Sequence, residues 1–577
     1  MSPSIAPVLT AGIKSRLFPD QIARTSRRRV IFTALAGIVL AGFGFRVFQL
    51  GAEGLSEDEL NKVRAVAEYR ARGLTPANGE HPFLMKGLIA VSSVAADGWN
   101  AFAAPTNNGL HISTEAATRF PGALLGALTS LLIFLVVREL FGVETGLLAA
   151  AMWAFDPQAI GFNRIAKEDS FFLFFFLLAN VFWLRGQSVA ETSVGKSHER
   201  YYWLTAAAFG AMMASKYLPH VMAISAAYYH IFLDIPTTRW RVGKLRWLIF
   251  FAVLGAVFLL CNPTILLPGT WHEMRIFAGE KRIGHDSYEF IGNLYRNKVT
   301  LWLNGSPWYF YYVFLGVKLP LPLVAAFLAG LPMLFTKRLG DGRFFVLSWF
   351  FFWFFPFSVM GGKFTRYFTF ALPVVIITAA IGVYAVGQYL SRQMSRDASV
   401  ESGADSFVRV ALGLSVVAFS AYASARAAPH YRLYTNALGG GTERAGSYFP
   451  HDEFYDSSVR DAANIIAREA PRGARVASET PGLFSYYATR GGRDDFLSAS
   501  LSDSQALGEL AVGDFVIVAR GRRYFSNEAV TGALRTAGTP AFSIELGTIP
   551  SMEVYQLDER SHATMMRAID RQKSGDQ

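Results

Sequence analysis

Long hydrophobic runs dominate the chain up to about residue 427. Blocks such as 171–176 and 349–355 are apolar on every side, whereas a surface helix of a soluble protein needs only one apolar stripe. A membrane-spanning helix requires about 20 apolar residues, and about eleven stretches approach that length. These stretches lie at 30–50, 118–137, 143–162, 170–184, 202–215, 218–234, 247–264, 308–334, 344–360, 367–389 and 408–427. The pattern predicts an α-helical polytopic membrane protein.

The pattern changes to that of a soluble domain after these stretches. Helical periods and strand-like apolar alternation follow one another there, at 459–469, 474–479, 482–489, 514–519, 541–546 and 552–556. Such an alternation is typical of a small α/β domain. We therefore predict a basic N-terminus at 1–29, a membrane domain at 30–427 whose first outer loop is 51–117, and an α/β domain at 428–577.

Composition and charge placement support this division. The chain has 577 residues, of which 52% are hydrophobic and only 17% are charged, whereas soluble proteins carry about a quarter charged residues. Basic residues concentrate before the first span and in the loop 239–246, which contains no acid. This distribution is the positive-inside signature, so the net charge of +11 sets orientation and does not indicate nucleic-acid binding. Cys261 is the single cysteine, which excludes an intrachain disulfide.

The orientation places the chemically rich connections on one side of the membrane. With a cytoplasmic N-terminus, the loops 51–117, 164–169, 265–307 and 361–366 lie outside, and an odd number of spans sends the C-terminal domain there too. We expect a multi-pass protein of the plasma membrane, as in the bacterial inner membrane. Ionisable residues beside a bilayer are costly, so acids and lysines in these outer loops are candidates for a functional site.

The first outer loop begins with Ser56-Glu57-Asp58-Glu59. Ser56 with Glu59 three residues later forms a capping-box pattern, which predicts a helix that starts here. A capping role and a catalytic role are both open for the acids, because a helix N-terminus keeps a carboxylate ionised and a general base must be ionised.

Other ionisable groups interrupt the outer ends of apolar segments. Arg164, Glu168 and Asp169 lie in one short connection, which is either an ordinary charged turn or a second acidic group facing the first. Lysines at span ends often extend to the interface, and lipid headgroups attract cations, so structural roles stay open for the basic residues. The same residues could instead hold a phosphate: Lys216, Lys318, Lys363 and Arg366.

The histidines and glycine patterns of the chain do not indicate a metal site or a nucleotide site. His81 and His285 lie in outer loops, but no pair of residues has a spacing typical of a metal site. No cofactor is indicated, although the acids leave a divalent metal ion open. The chain lacks a Walker loop and a Rossmann glycine fingerprint, which disfavours an energy-coupled pump.

In combination, these segments resemble those of glycosyltransferase family 39, a group within the GT-C superfamily that includes protein O-mannosyltransferases and lipid A aminoarabinose transferases. Asp58-Glu59 resembles the acidic pair of that family, and residues 81–86 resemble its His-Pro-Pro-Leu-x-Lys segment, with Phe83 in place of the second proline. Further matching segments are 119–122, 164–169, 284–285, 307–311, 318–322 and 363–367.

The resemblance implies a GT-C-like bundle with its active site at the outer face of the membrane and a sugar donor on a polyprenyl phosphate. Our hypothesis is that the sugar moves to an acceptor hydroxyl on a protein, lipid or glycan, with inversion at the anomeric carbon. This hypothesis gives catalytic roles to Asp58, Glu59 and Asp169, and donor-phosphate binding to Lys216, Lys318, Lys363 and Arg366. The remaining candidates would bind substrate: His81, Lys86, Arg164, Glu168 and His285.

Other functional classes share some of these features. A transporter or flippase of lipid-linked glycans also carries intramembrane charges, but transporters commonly show two related halves and this sequence shows none. A ligase or polymerase that uses a lipid-linked glycan stays open. A scaffold role is disfavoured by the acids of the first outer loop.

Overall fold

The computed structural model describes residues 21–103, 108–192, 198–228, 244–280, 285–394 and 401–575. The basic N-terminus up to residue 20 and residues 239–243 of the basic loop lie outside these ranges, as does Gly284.

Helices make up nearly all of the described membrane domain. They are α1 (Gln21–Val47), α2 (Glu57–Arg72), α3 (Phe83–Ala103), α4 (Thr114–Phe141), α5 (Val143–Phe155), α6 (Pro157–Asn163), α7 (Glu168–Thr192), α8 (Glu199–Met213), α9 (Met222–Ala227), α10 (Lys244–Cys261), α11 (Pro268–Glu280), α12 (Phe310–Lys318), α13 (Leu321–Gly330), α14 (Gly342–Val359), α15 (Leu372–Met394) and α16 (Glu401–Ala427). A small antiparallel hairpin, β1 (Ser287–Phe290) with β2 (Asn293–Arg296), lies between α11 and α12.

Six of the described helices are long and apolar enough to cross a membrane, so the chain is a multi-pass membrane protein. The six segments are Arg28–Val47, Thr114–Phe141, Glu168–Ala190, Gly342–Val359, Leu372–Gln393 and Phe407–Ala427. Shorter apolar helices are Val143–Phe155, Arg246–Cys261 and Leu321–Phe335. The total of eleven spans stays a prediction.

Two apolar stretches are interrupted where the sequence pattern showed one span each. The stretch 143–162 divides at Asp156, which accepts a hydrogen bond from the Ala159 amide (2.8 Å) and caps α6, with Pro157 as its first residue. The stretch 308–334 divides into α12 and α13 because Leu319 is extended, as expected for a residue before proline. Hydrophobicity alone does not show such breaks.

The C-terminal part combines a five-stranded sheet with short helices. Its elements are α17 (Pro450–Phe454), α18 (Val459–Glu469), β3 (Arg475–Ser478), α19 (Pro481–Arg490), β4 (Leu497–Ser500), α20 (Ser504–Leu507), β5 (Phe515–Ala519), α21 (Glu528–Ala537), β6 (Phe542–Leu546), β7 (Ile549–Gln556) and α22 (Glu559–Gly575). The strand order is β4-β3-β5-β7-β6. Strands β4, β3 and β5 are parallel, and β7 pairs antiparallel with both β5 and β6. The domain boundary at 427/428 stays a prediction.

Helix α2 joins the C-terminal domain to the membrane domain. Leu55 and Leu60, at its start, are buried in one apolar cluster with Val459, Ile466 and Phe484. These three residues belong to α18 and α19, so the start of α2 is part of the C-terminal core. Burial of such side chains stabilises the contact by about 1.5–3 kcal/mol each.

A buried ion pair fixes the other side of α2. Arg119 of α4 donates from Nε to Oε1 of Glu59 (2.9 Å) and from Nη2 to Oε2 (2.7 Å). The same carboxylate accepts hydrogen bonds from the amides of Ala166 (2.9 Å) and Ser56 (2.9 Å). Both ionised groups are buried, so their stability depends on keeping all of these bonds.

Arg164 fixes the end of α1 through hydrogen bonds to backbone carbonyl oxygens. Its guanidinium donates to the carbonyl oxygens of Arg46 (2.9 Å), Phe48 (2.6 Å) and Gln49 (2.9 Å). Terminal carbonyls of a helix lack partners within the helix and carry partial negative charge, so a buried cation stabilises them.

We expect Glu59→Ala to lower the free energy of unfolding by about 3–5 kcal/mol, because Arg119 would remain buried without its partner. Glu68→Ala, on the same helix and partly exposed, serves as the matched control. Denaturant titration of the full chain in detergent measures the difference. Equal midpoints for the two variants would contradict a structural role for the Glu59–Arg119 pair.

Candidate active site

A cavity of about 710 Å³ lies where the membrane domain meets the C-terminal domain. Its polar lining comes from the start of α2, the connection between α6 and α7, the segment around residue 366 and the segment after α17. These segments carry many of the ionisable residues that the sequence singled out, together with several that it did not.

The start of α2 places Asp58 in the cavity. Ser56 accepts a hydrogen bond from the Glu59 amide (3.2 Å), and Glu59 accepts one from the Ser56 amide, so the predicted capping box is present. Glu59 is fully buried against α4, whereas the side chain of the preceding Asp58 is 39% exposed. Successive helical positions differ by about 100°, which explains why adjacent acids face different surroundings.

The surroundings of Asp58 keep its carboxylate ionised. Lys167 Nζ lies 2.5 Å from Oδ2, Tyr455 donates its hydroxyl to Oδ2 (3.0 Å), and Arg366 Nη2 lies 4.0 Å from Oδ2. Burial favours the neutral acid, but the charges of Lys167, Arg366 and Lys62 outweigh it, and the pKa of Asp58 lies well below its usual range.

A second group connects α2 with α7. Lys62 Nζ lies 3.2 Å from Oε1 of Glu168, and His81 Nδ1 lies 3.5 Å from the same oxygen. Burial, opposed by the charge of Glu168, lowers the pKa of His81 to about 3, so its ring is neutral at physiological pH. Because the His81 ring carries no charge, the ion pair at this oxygen of Glu168 is the one with Lys62.

Two cations lie beside one tyrosine ring. Lys216 Nζ is 2.5 Å from Oδ1 of Asp169 and 4.9 Å from the ring centre of Tyr367. The guanidinium of Arg366 is 5.6 Å from the same ring and lies 3.6 Å from Oδ1 of Asp452. These two cations from separate segments are thus close to one another and to the cavity, where they could contact a single anionic group.

The C-terminal domain supplies the far side of the cavity. Arg522 donates from Nε to Oδ1 of Asp456 (2.7 Å) and from Nη1 to Nε2 of His285 (2.5 Å), and its Nη1 lies 3.5 Å from Glu57. Burial and the Arg522 charge lower the pKa of His285 to about 3, which leaves Nε2 as an acceptor. The ring of His285 stacks on Tyr524 at 4.1 Å.

One side of the cavity is apolar. Met274 and Phe277, three residues apart on α11, line it together with Leu218 and Val299. Phe277 is about half exposed, and Trp271 on the same helix is similarly exposed. Such apolar surface on a membrane protein suits contact with a lipid chain.

Four of the basic candidates lie away from this cavity, and Lys318 and Lys363 are the first two of them. Lys318 is buried and pairs with Glu453, and it also donates to Thr435 (3.3 Å). Lys363 donates to the carbonyl oxygens of Ser306 (2.8 Å) and Met360. Their ammonium groups are occupied by protein acceptors.

Lys86 is the third of them. It donates to the carbonyl oxygens of Asn78 (2.6 Å) and His81 (3.0 Å), which orders the loop before α3. Burial lowers the pKa of Lys86 to about 7. Arg164 and Glu59 are likewise used in packing, as described above. The structure thus gathers Asp58, Glu168, Asp169, Lys216, Arg366, His81 and His285 in one cavity and leaves Glu59, Lys86, Arg164, Lys318 and Lys363 outside it.

Several site residues were missed by sequence reasoning. Lys167 lies inside the segment 164–169, which the sequence already marked as charged. Lys62 is four residues after Asp58, one helical turn away, so the sequence contained a signal for both lysines. Tyr455, Asp456 and Arg522 carried no local signal, because only the fold brings them to residues 57 and 58. Within the described ranges, no three His, Cys, Asp or Glu residues are grouped in a way that could hold a metal ion.

Comparison with known proteins supports the resemblance found in the sequence. A family model described as dolichyl-phosphate-mannose-protein mannosyltransferase matches residues 108–266. This match confirms the resemblance to glycosyltransferase family 39. No curated protein sequence matches the chain.

Similar solved structures include ArnT from Cupriavidus metallidurans, with a TM-score of 0.46 and 14% identity over 92% of this chain and 98% of ArnT. ArnT bound to undecaprenyl phosphate gives a TM-score of 0.45 at the same identity. The oligosaccharyltransferase of Archaeoglobus fulgidus gives 0.49, with 12% identity over 85% of this chain and 69% of its own. At these TM-scores the solved structures do not define the fold of this chain.

The lowered pKa of His81 predicts a pH dependence of stability. Between about pH 6.5 and 3 the unfolded chain binds a proton at this residue and the folded chain does not, so stability falls as the pH falls. We expect His81→Gln to reduce this slope, whose upper limit for one group is about 1.4 kcal/mol per pH unit. Thermal unfolding at a series of pH values measures it.

His272→Gln is the matched control, because His272 is exposed on α11. Its profile should follow that of the wild type. If His81→Gln also followed the wild type throughout, His81 would bind its proton equally in the folded and unfolded chain, and the lowered pKa would be wrong.

Proposed function

We propose that this protein is a membrane-embedded inverting glycosyltransferase that moves a sugar from a polyprenyl-phosphate donor to an acceptor hydroxyl. The observation that carries the proposal is the single cavity in which an ionised carboxylate, Asp58, faces the cations Lys216 and Arg366 beside an apolar side formed by α11. Transfer from a lipid phosphate needs these three features together.

In the proposed reaction Asp58 accepts the proton of the acceptor hydroxyl. The acceptor oxygen forms a bond to the anomeric carbon, and the bond from that carbon to the phosphate oxygen breaks with its electron pair. The polyprenyl phosphate leaves from the opposite face, which inverts the configuration. A leaving phosphate needs charge stabilisation more than protonation, and Lys216 and Arg366 supply it.

The cations around Asp58 affect its role as a base in two ways. Its low pKa keeps it ionised, but strong contact with cations also makes a carboxylate a weak base. A donor phosphate bound to Arg366 would weaken the contact of that guanidinium with Asp58, and the basicity of the carboxylate would rise when substrate is present. Asp169 would then orient Lys216, to which it is paired.

The family match supports a sugar donor on a lipid phosphate, since the matched family is described by a dolichyl-phosphate-mannose donor. The lipid seen with ArnT, undecaprenyl phosphate, is consistent with a bacterial donor of the same chemistry. We further propose that the cavity and the C-terminal domain both face the outer side of the membrane. The donor sugar and the acceptor can be identified by mass spectrometry of glycans lost from a deletion strain.

We expect Asp58→Asn to reduce turnover by about 10²–10⁴-fold, the usual contribution of a general base, without loss of folding. Asp97→Asn is the control, because Asp97 pairs with Arg70 on an exposed surface and should retain wild-type turnover. Purified full-length protein with polyprenyl-phosphate sugar and acceptor provides the assay. Wild-type-like turnover by Asp58→Asn would exclude Asp58 as the base, and movement of unmodified donor between leaflets without transfer would favour a flippase.

Arg366→Met should lower kcat by about 10²–10³-fold, because the developing charge on the phosphate would lose a cation. Arg296→Met, on the exposed strand β2, is the control for loss of a positive charge on the outer side. Steady-state kinetics with the same donor gives both values. Equal kcat in the two variants would remove Arg366 from the leaving-group site.

A further inference from the structure

A five-residue segment, Phe454–Ser458, links α17 to α18 and lies along the residues that lead into α2. We call this segment the elbow. The amide of Gly54 donates to the carbonyl oxygen of Ser457 (2.9 Å), and the amide of Glu57 donates to Oδ2 of Asp456 (3.1 Å). The C-terminal domain is therefore bonded directly to the start of the helix that carries Asp58.

The elbow has an unusual backbone. Tyr455 has φ 48° and ψ 46°, and Asp456 has φ 61°, so two consecutive residues other than glycine are left-handed. Side chains with a Cβ disfavour this region, and it persists only where the surrounding contacts require it. In this conformation both neighbouring side chains reach α2, with Tyr455 on the Asp58 carboxylate and Asp456 on the Glu57 amide.

Asp456 is held in place from its other side as well. Arg522, just after β5, pairs with both oxygens of its carboxylate. Arg460, at the start of α18, donates to the carbonyl oxygens of Gly51 (2.9 Å) and Ala52. The elbow is thus fixed between the C-terminal domain and the entry to α2, so Tyr455 has little freedom to move.

Three side chains approach the same oxygen of Asp58. Lys167, Tyr455 and Arg366 all approach Oδ2, and within the described residues no hydrogen bond to Oδ1 is found. Tyr455 is the uncharged member of this group. Burial and the charge of Asp58 raise the pKa of Tyr455 well above its usual range, so its hydroxyl stays protonated and donates.

We infer that Tyr455 is a positioning residue for the proposed base, and that the C-terminal domain completes the active site through the elbow. The hydroxyl of Tyr455, with Lys167, holds Oδ2 of Asp58 and so fixes the rotation of the carboxylate. Oδ1 is then directed to the cavity, where it receives the proton of the acceptor hydroxyl. This inference rests on the proposed function, because it needs Asp58 to act as a base.

The test compares two tyrosines at the same interface. Tyr455→Phe removes only the hydroxyl at Asp58. Tyr487→Phe removes a hydroxyl that donates to Glu115 (2.9 Å) and accepts from the Leu55 amide (2.6 Å), so it also breaks bonds between the C-terminal domain and the membrane domain, but outside the cavity. Full-length proteins are assayed with the polyprenyl-phosphate sugar on which the wild type turns over, and binding of polyprenyl phosphate alone is measured separately.

We expect Tyr455→Phe to lower kcat roughly tenfold, as for loss of one hydrogen bond to a charged group. The KM for the donor and the affinity for polyprenyl phosphate should stay within about twofold, because the hydroxyl donates its hydrogen bond to Asp58 and, within the described residues, none to Arg366 or Lys216. Tyr487→Phe should keep a wild-type kcat. A merely structural contact would instead change melting temperature and donor affinity along with kcat.

The two proposals fail in different ways. If Asp58→Asn is inactive and Tyr455→Phe has the wild-type kcat, the positioning role is wrong and the base assignment stands. If Tyr455→Phe and Tyr487→Phe lose activity equally, the elbow contributes only to domain attachment and the inference is also wrong. If Asp58→Asn turns over like the wild type, the proposed function itself fails.

Discussion

The buried ion pair between Glu59 and Arg119 is the contact on which the arrangement of the site depends. Both charges are removed from water, so the pair is stable only in the geometry in which all of its hydrogen bonds form. That geometry fixes α2 against α4 and against the amide of Ala166, which precedes the acids of α7. The position of Asp58 follows from it, because the neighbouring helical position must turn away from the buried pair.

The resulting site balances charges from parts of the chain that are far apart in sequence. Lys167 and Arg366 keep Asp58 ionised, Lys62 balances Glu168, and Asp169 balances Lys216. Because each cation already has a carboxylate partner, a bound phosphate would compete with these partners and redistribute the contacts. In the proposed reaction, a site built in this way would respond electrostatically to the donor, and binding of the donor would change the basicity of Asp58.

The C-terminal domain has a more direct part than its soluble composition suggests. Leu55 and Leu60, at the start of α2, lie within its apolar core, and Tyr455 reaches Asp58. Detachment of this domain would therefore expose apolar surface on α2 and remove a hydrogen bond from the carboxylate. Folding of the domain and completion of the cavity are coupled by the same contacts.

The sequence by itself determined the membrane class, the start of α2 and the acids at that start. These follow from local physics: apolar length, the reciprocal bonds of Ser56 and Glu59, and the preference of acids for a helix N-terminus. It could not separate Asp58 from Glu59, or Arg366 from Lys363 and Lys318, because the direction of a side chain depends on what packs against each face. Only the tertiary structure decided those assignments and added Tyr455 and Arg522, since a contact across 397 positions leaves no trace in local spacing.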